Sequence, residues 1–118
     1  MQHYFWLGFG FNGSLLTEDQ ADYVMENNEK FKSGDVYLQF VPFTEDYKGP
    51  NWGAVILKPI ERLTMAGKMA TAKELSALFE EYSVITEETR DHIAMVLGQA
   101  NLAHLIDRVE LVLYSDNY

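Results

Sequence analysis

Cysteine is missing from all 118 residues, and that absence closes several routes. No disulfide can staple the chain, no thiolate can hold zinc or an iron–sulfur cluster, and no thiol can act as nucleophile. Basic residues are scarce too: nine Lys and Arg stand against 18 Asp and Glu, for a formal net charge of −9. Contact with phosphates needs a basic surface, so no direct nucleic-acid partner is expected. Nor is there a run of about 18 apolar residues, the minimum for a transmembrane helix. The apolar start, Met1 to Phe9, lacks a positively charged segment and a small-residue cleavage site. No signal peptide is therefore expected, the cytoplasm is the default location, and no membrane partner is foreseen.

What is present points to a folded domain. Hydrophobic residues make up 47% of the chain and aromatics 14%, too many for a disordered acidic tail. The length suits one globular domain, residues 1–118, with a single core, and no repeat, low-complexity tract or linker divides it.

Residues 3–11 are aromatic-rich, which favours a strand, with glycines at 8, 10 and 13 loosening it. Thr17 with Gln20 makes a capping box, Leu16 can staple against Ala21, and the first helical turns are acidic. Ala21, Val24, Met25, Asn28 and Phe31 then fall on one helical face. Asp35 to Phe43 alternates as a strand ending near Pro42, residues 44–53 form a loop, and Ala54–Leu57 is a short strand closed by Pro59. Residues 63–70 read as an irregular connection. Thr71 with Glu74 caps a helix whose inward stripe is Leu75, Leu78, Phe79 and Tyr82. Thr86 caps a longer helix carrying Ile93, Val96, Leu97, Ala100 and Leu105, and Val109 to Tyr114 alternates as a last strand. The expected class is α+β: a mostly antiparallel sheet with helices on one face, in the order β-α-β-β-α-α-β. That order approximates a ferredoxin-like β-α-β-β-α-β arrangement with one extra helix.

Gly8-Phe9-Gly10-Phe11-Asn12-Gly13 is a literal G-x-G-x-x-G, the pattern that lets a backbone approach a pyrophosphate at a helix N-terminus. The cap at Thr17 comes four residues after the last glycine, Asp35 opens a strand rather than ending one, and no repeated strand–helix units follow. A glycine-bearing strand end or bulge fits better. His3, His92 and His104 form no H-x-x-x-H. On one helix His92 and His104 would stand about 18 Å apart along the axis, too far to share a metal. The pairs Glu18-Asp19, Glu45-Asp46, Glu80-Glu81 and Glu87-Glu88 lie on polar stretches, with nothing to separate their pKa values for acid–base work. No serine sits in a G-x-S-x-G elbow. No enzyme activity, metal or cofactor is expected.

Charge placement says more than any motif. Residues 1–46 carry net −6, residues 47–73 net +4, and residues 74–118 net −7. Acids load the helices, and such a field suits either solubility or docking of a basic protein. Glu18, Asp22, Glu26 and Glu29, with Glu80, Glu81, Glu87 and Glu88, are the candidate contacts. Tyr47, Trp52 and Phe43, around the Gly49-Pro50 turn, are candidate aromatic anchors or else a lid on the core edge. The expected function is a non-enzymatic acidic protein neutralising a basic partner, most concretely a toxin-immunity protein blocking a cationic, nuclease-like toxin. A phage-encoded inhibitor imitating DNA charge, or a small nucleotide-binding domain using Gly8–Gly13, are the alternatives.

Overall fold

A computed structural model of the chain describes residues 3–43, 49–63 and 71–117. The aromatic-rich N-terminal segment forms β1 (His3–Asn12), followed by a short 3-10 turn over Gly13–Leu15. The capping box then opens α1 (Glu18–Glu26): Thr17 Oγ1 accepts from the Gln20 N–H at 3.2 Å, and Gln20 Oε1 accepts from the Thr17 N–H at 2.8 Å. Leu16 and Ala21, the expected staple, are both buried in the core.

α1 stops earlier than the apolar spacing implies. Asn27 caps it, its side-chain amide donating to the Tyr23 carbonyl at 2.8 Å, and Asn28 Oδ1 accepts from the Phe40 N–H at 3.0 Å. Short amide side chains compete with the helical ladder in this way. Asn28 and Phe31 thus lie beyond the helix. The strand expected over Asp35–Phe43 is broken into β3 (Val36–Tyr37) and β4 (Gln39–Pro42), with β3 paired in a small hairpin to β2 (Lys32–Ser33). Leu38, fully buried, turns its backbone aside: its N–H donates to the Phe31 carbonyl and its carbonyl accepts from the Glu29 N–H.

After a 3-10 turn at Pro50–Trp52 comes β5 (Gly53–Leu63), which passes through Pro59 instead of ending there. β4 reaches only Gly53–Ile56, so Pro59 lies where β1 alone is a partner, and a missing donor is tolerated at such an edge. Leu57 and Ile60 are unopposed in the β1 register, two bulges facing the Phe9/Gly10 and Leu7/Gly8 steps. Here the glycines are needed. A Cβ at Gly10 would collide with the Val55 carbonyl oxygen, and one at Gly8 would lie 2.9 Å from the Lys58 oxygen.

Thr71 caps α2 (Ala72–Tyr82) and Thr86 caps α3 (Glu87–Gln99), each through its hydroxyl to the backbone N–H three residues on. The long helix expected through Leu105 ends instead at Ala100. Asn101 takes φ 60°, its N–H donates to the Gly98 carbonyl, and the Leu102 N–H donates to the Leu97 carbonyl at 2.8 Å. This is a Schellman motif, with Leu97 and Leu102 making its apolar closure. A 3-10 segment, Ala103–Arg108, leads to β6 (Glu110–Asn117), so His92 and His104 are on separate elements.

The sheet order is β4-β5-β1-β6, and every neighbouring pair is antiparallel. β1 and β4 are therefore parallel with β5 between them, and β5 and β6 parallel with β1 between them. These are two interlocked split β-α-β units, the ferredoxin-like arrangement. The main core joins Phe9, Phe11, Val55 and Leu57 of the sheet to Val24 of α1 and Ile93, Val96 and Leu97 of α3. The opposite face carries a smaller cluster of Ala54, Ile56 and Tyr114, with Trp6, Val41 and Val112 against it. No described helix is long and apolar enough to cross a membrane.

Candidate binding surface

Glu18, Asp22 and Glu26 fall at four-residue intervals on α1 and are all exposed. Spaced by about 6 Å of helix rise, they form one row of carboxylates. Between described residues the ion pairs are Lys58 with Asp35 at 3.5 Å and Arg90 with Asp107 at 2.9 Å, so no described cation engages this row. Glu29 is exposed as well, but it lies past the helix with φ 65° and its N–H held by the Leu38 carbonyl.

Beside α1 runs a groove of about 280 Å³ between the helix and the C-terminal end of α3. Asp19, Gln20, Tyr23 and Val24 form one wall, Ala100, Asn101 and Leu102 the other. The left-handed turn at Asn101 creates that wall, because it swings the chain away from the α3 axis before Leu102 enters the core. Tyr23 is 47% exposed and its ring lies 5.9 Å from that of Phe31. An apolar slot with a carboxylate and a phenol at its rim suits an aliphatic stem ending in a cation.

Glu80 and Glu81 close α2, and Glu87 and Glu88 open α3, all exposed. They gather at the N-terminal end of α3, whereas the α1 groove lies at its C-terminal end. The thirteen residues of α3 span about 20 Å. The two acidic groups therefore form separate patches, not one continuous face. Trp52 is 46% exposed and Phe43 39%, joined by a Phe43 N–H donating to the Trp52 carbonyl at 2.8 Å. Each thus keeps part of its surface open to solvent while the rest is covered. Tyr47 and the Glu45-Asp46 pair lie outside the described residues.

One polar cluster escapes sequence reasoning. Ser33 Oγ lies 2.7 Å from His92 Nδ1 and 3.3 Å from Met95 Sδ, although 59 residues separate the serine from the histidine. A hydroxyl against an imidazole is the first ingredient of nucleophilic catalysis, but the base must itself be oriented by a third group. Here the ring instead lies over Gly34, where a Cβ would come within 3.1 Å of His92 Cε1. The nearby Asp35 pairs with Lys58, whose ammonium also reaches Thr89 Oγ1 at 3.5 Å. The cluster fastens the β2–β3 hairpin onto α3. Gly8 and Gly10 are buried inside β1, and Gly13 precedes α1 by five residues, so the glycine pattern does not form a phosphate loop at a helix N-terminus.

Among the described residues, the one titration clearly displaced belongs to Tyr82. Its hydroxyl faces Glu61, and hydrogen bonding to that carboxylate, followed by its negative charge, raises the phenol above its usual 10.0.

No family model matches the chain, and no curated protein or solved structure is significantly similar to it. The functional reading rests on the chemistry of these surfaces.

Proposed function

We propose that the chain is a non-enzymatic binding protein that neutralises a basic protein partner, with α1 as the docking face. The carrying observation is the row Glu18–Asp22–Glu26, which no described cation engages, beside a groove rimmed by Asp19 and Tyr23. Like charges four residues apart destabilise a helix, so the row works against folding and fits a surface shaped for recognition. Electrostatic steering brings the partner in and rejects wrong ones, while the aromatic rim and slot supply short-range anchorage. The most concrete version is a toxin-immunity protein covering the cationic substrate site of a nuclease-like toxin. Separate acidic patches do not favour a continuous imitation of a DNA backbone.

The test is a co-purification and titration of the natural partner with parent protein and an Asp22→Lys, Glu26→Lys double variant. Binding by the parent is expected to weaken steeply between low and physiological salt, where exposed charges are screened over about 8 Å. The double variant should bind at least tenfold more weakly. Equal binding by both proteins would remove α1 from the interface.

A further inference from the structure

The two edges of the sheet are built differently. β4 is four residues long and ends in Pro42, both devices that discourage a further strand. β6 runs for eight residues, pairs with β1 without interruption from His3↔Asn117 to Gly10↔Glu110, and contains no proline, lysine or bulge. Among the described residues nothing pairs with its outer edge. Such an edge presents a row of backbone donors and acceptors ready for another chain.

A cleft of about 570 Å³ lies beside that edge, between α2 and the face of β6 and β1. Leu7 of β1 and the five consecutive residues Val109–Leu113 line one side, and Phe79, Ser83 and Ile85 line the other. Leu111 packs against the main core and pairs with Phe9, and Leu113 pairs with Leu7 on the same face, so the cleft lies on the core-facing side of β6, next to its outer edge. α2 has no buried residue, and its expected inward stripe is only half covered: Phe79 is 36% exposed across from Leu113 at 49%. The surroundings are acidic. Glu110 lines the cleft, Glu80 and Glu81 precede Ser83 with Tyr82 between, and Glu87 and Glu88 follow Ile85 with Thr86 between.

We propose that the β6 edge receives an extended segment of the basic partner as a fifth strand, with apolar side chains at alternate positions and Lys or Arg between them. The proposal rests on the basic-partner reading above and names a second contact for it. Backbone pairing supplies affinity and alternate apolar side chains fill the cleft beside Phe79, while the intervening cations point to the opposite face, which Glu110 shares with Val112, within the field of a chain of net charge −9. A second copy of the chain is the poorer occupant, because it would bring another molecule of net charge −9 against the same acids.

The probe is a capped eight-residue peptide of alternating valine and lysine, beside an analogue N-methylated at every second residue so that one edge cannot donate. Amide NMR shifts and hydrogen exchange of the parent protein are followed at low and physiological salt. The unmethylated peptide should shift and protect the amides of residues 111–115, the N-methylated one should bind at least tenfold more weakly, and salt should weaken binding. Leu113→Lys, at an exposed site and with its fold verified by the same spectra, should also lose at least tenfold. Four results would overturn the proposal: equal binding of the two peptides, shifts confined to α1, no binding by the unmethylated peptide, or a dimer in sedimentation that Leu113→Lys abolishes. Binding that responds to salt but not to N-methylation removes the strand addition and leaves the basic-partner reading. Binding that responds to N-methylation but not to salt does the reverse.

Discussion

Replacing Asp22 by lysine should make the folded protein more stable while making it a worse binder. Asp22 sits between Glu18 and Glu26 at the i−4 and i+4 positions of α1. Each like-charge pair at that spacing costs about 0.2–0.5 kcal/mol, and each opposite pair returns a similar amount. The substitution removes two repulsions and creates two attractions. The pair with Glu18 has the favoured direction, since the glutamate is N-terminal to the new lysine. Lysine is also a better helix former than aspartate by a few tenths of a kcal/mol. With salt screening the exposed pairs, the net gain is about 1 kcal/mol. For 118 residues an unfolding entropy of about 2.1 cal/mol/K per residue turns that into a rise in Tm of about 4 °C. Differential scanning calorimetry of parent and variant at low and high salt measures it, and the gap should narrow as salt rises. An unchanged or lower Tm at low salt would refute the reasoning, because it would mean that the row is already compensated in the folded protein.

Other outcomes follow from individual contacts. Asn101→Gly should stabilise by about 0.5–1 kcal/mol and Asn101→Ala destabilise by about 1 kcal/mol, read from urea midpoints, since only glycine occupies the left-handed position without strain. Gly10→Ala should cost more than the roughly 1–3 kcal/mol of ordinary overpacking, because the new methyl meets the Val55 carbonyl oxygen rather than a movable side chain; a cost below about 1 kcal/mol in denaturant titration would contradict that packing. Tyr82 bonded to Glu61 favours the neutral phenol in the folded state, so its contribution is complete below pH 10.0 and is lost as pH rises through its elevated folded value. Thermal stability should accordingly fall more steeply above pH 10.0 in the parent than in Tyr82→Phe, and parallel slopes would contradict the contact.

Much of the fold is written locally. Thr17, Thr71 and Thr86 cap three helices with the backbone bonds that their spacing implies, and β1 and β6 lie where aromatic and alternating residues place them. The errors arise where distant groups decide. Apolar spacing carries α1 through Phe31, but the Asn28 side chain is claimed by the Phe40 N–H of another strand. Proline at 59 reads as a strand end, yet β5 continues because its partner on one side has already stopped. The left-handed turn at Asn101 had a readable signal, an asparagine just past an apolar run, but Leu105 kept the periodicity going and masked it.

The candidate surface divides along the same line. Sequence alone determined the scarcity of positive charge, the acidic helices and the exposure of Glu18, Asp22 and Glu26, because helical periodicity ties these to composition and spacing. Which patches those acids form was decided by tertiary structure. The Schellman turn carves the groove beside Tyr23, α3 puts that groove and Glu87 with Glu88 at its opposite ends, and the order β4-β5-β1-β6 puts β6 at an edge that no described strand covers. Strand order and interhelical spacing depend on contacts between residues far apart in the chain, such as Ser33 with His92, and no local pattern encodes them.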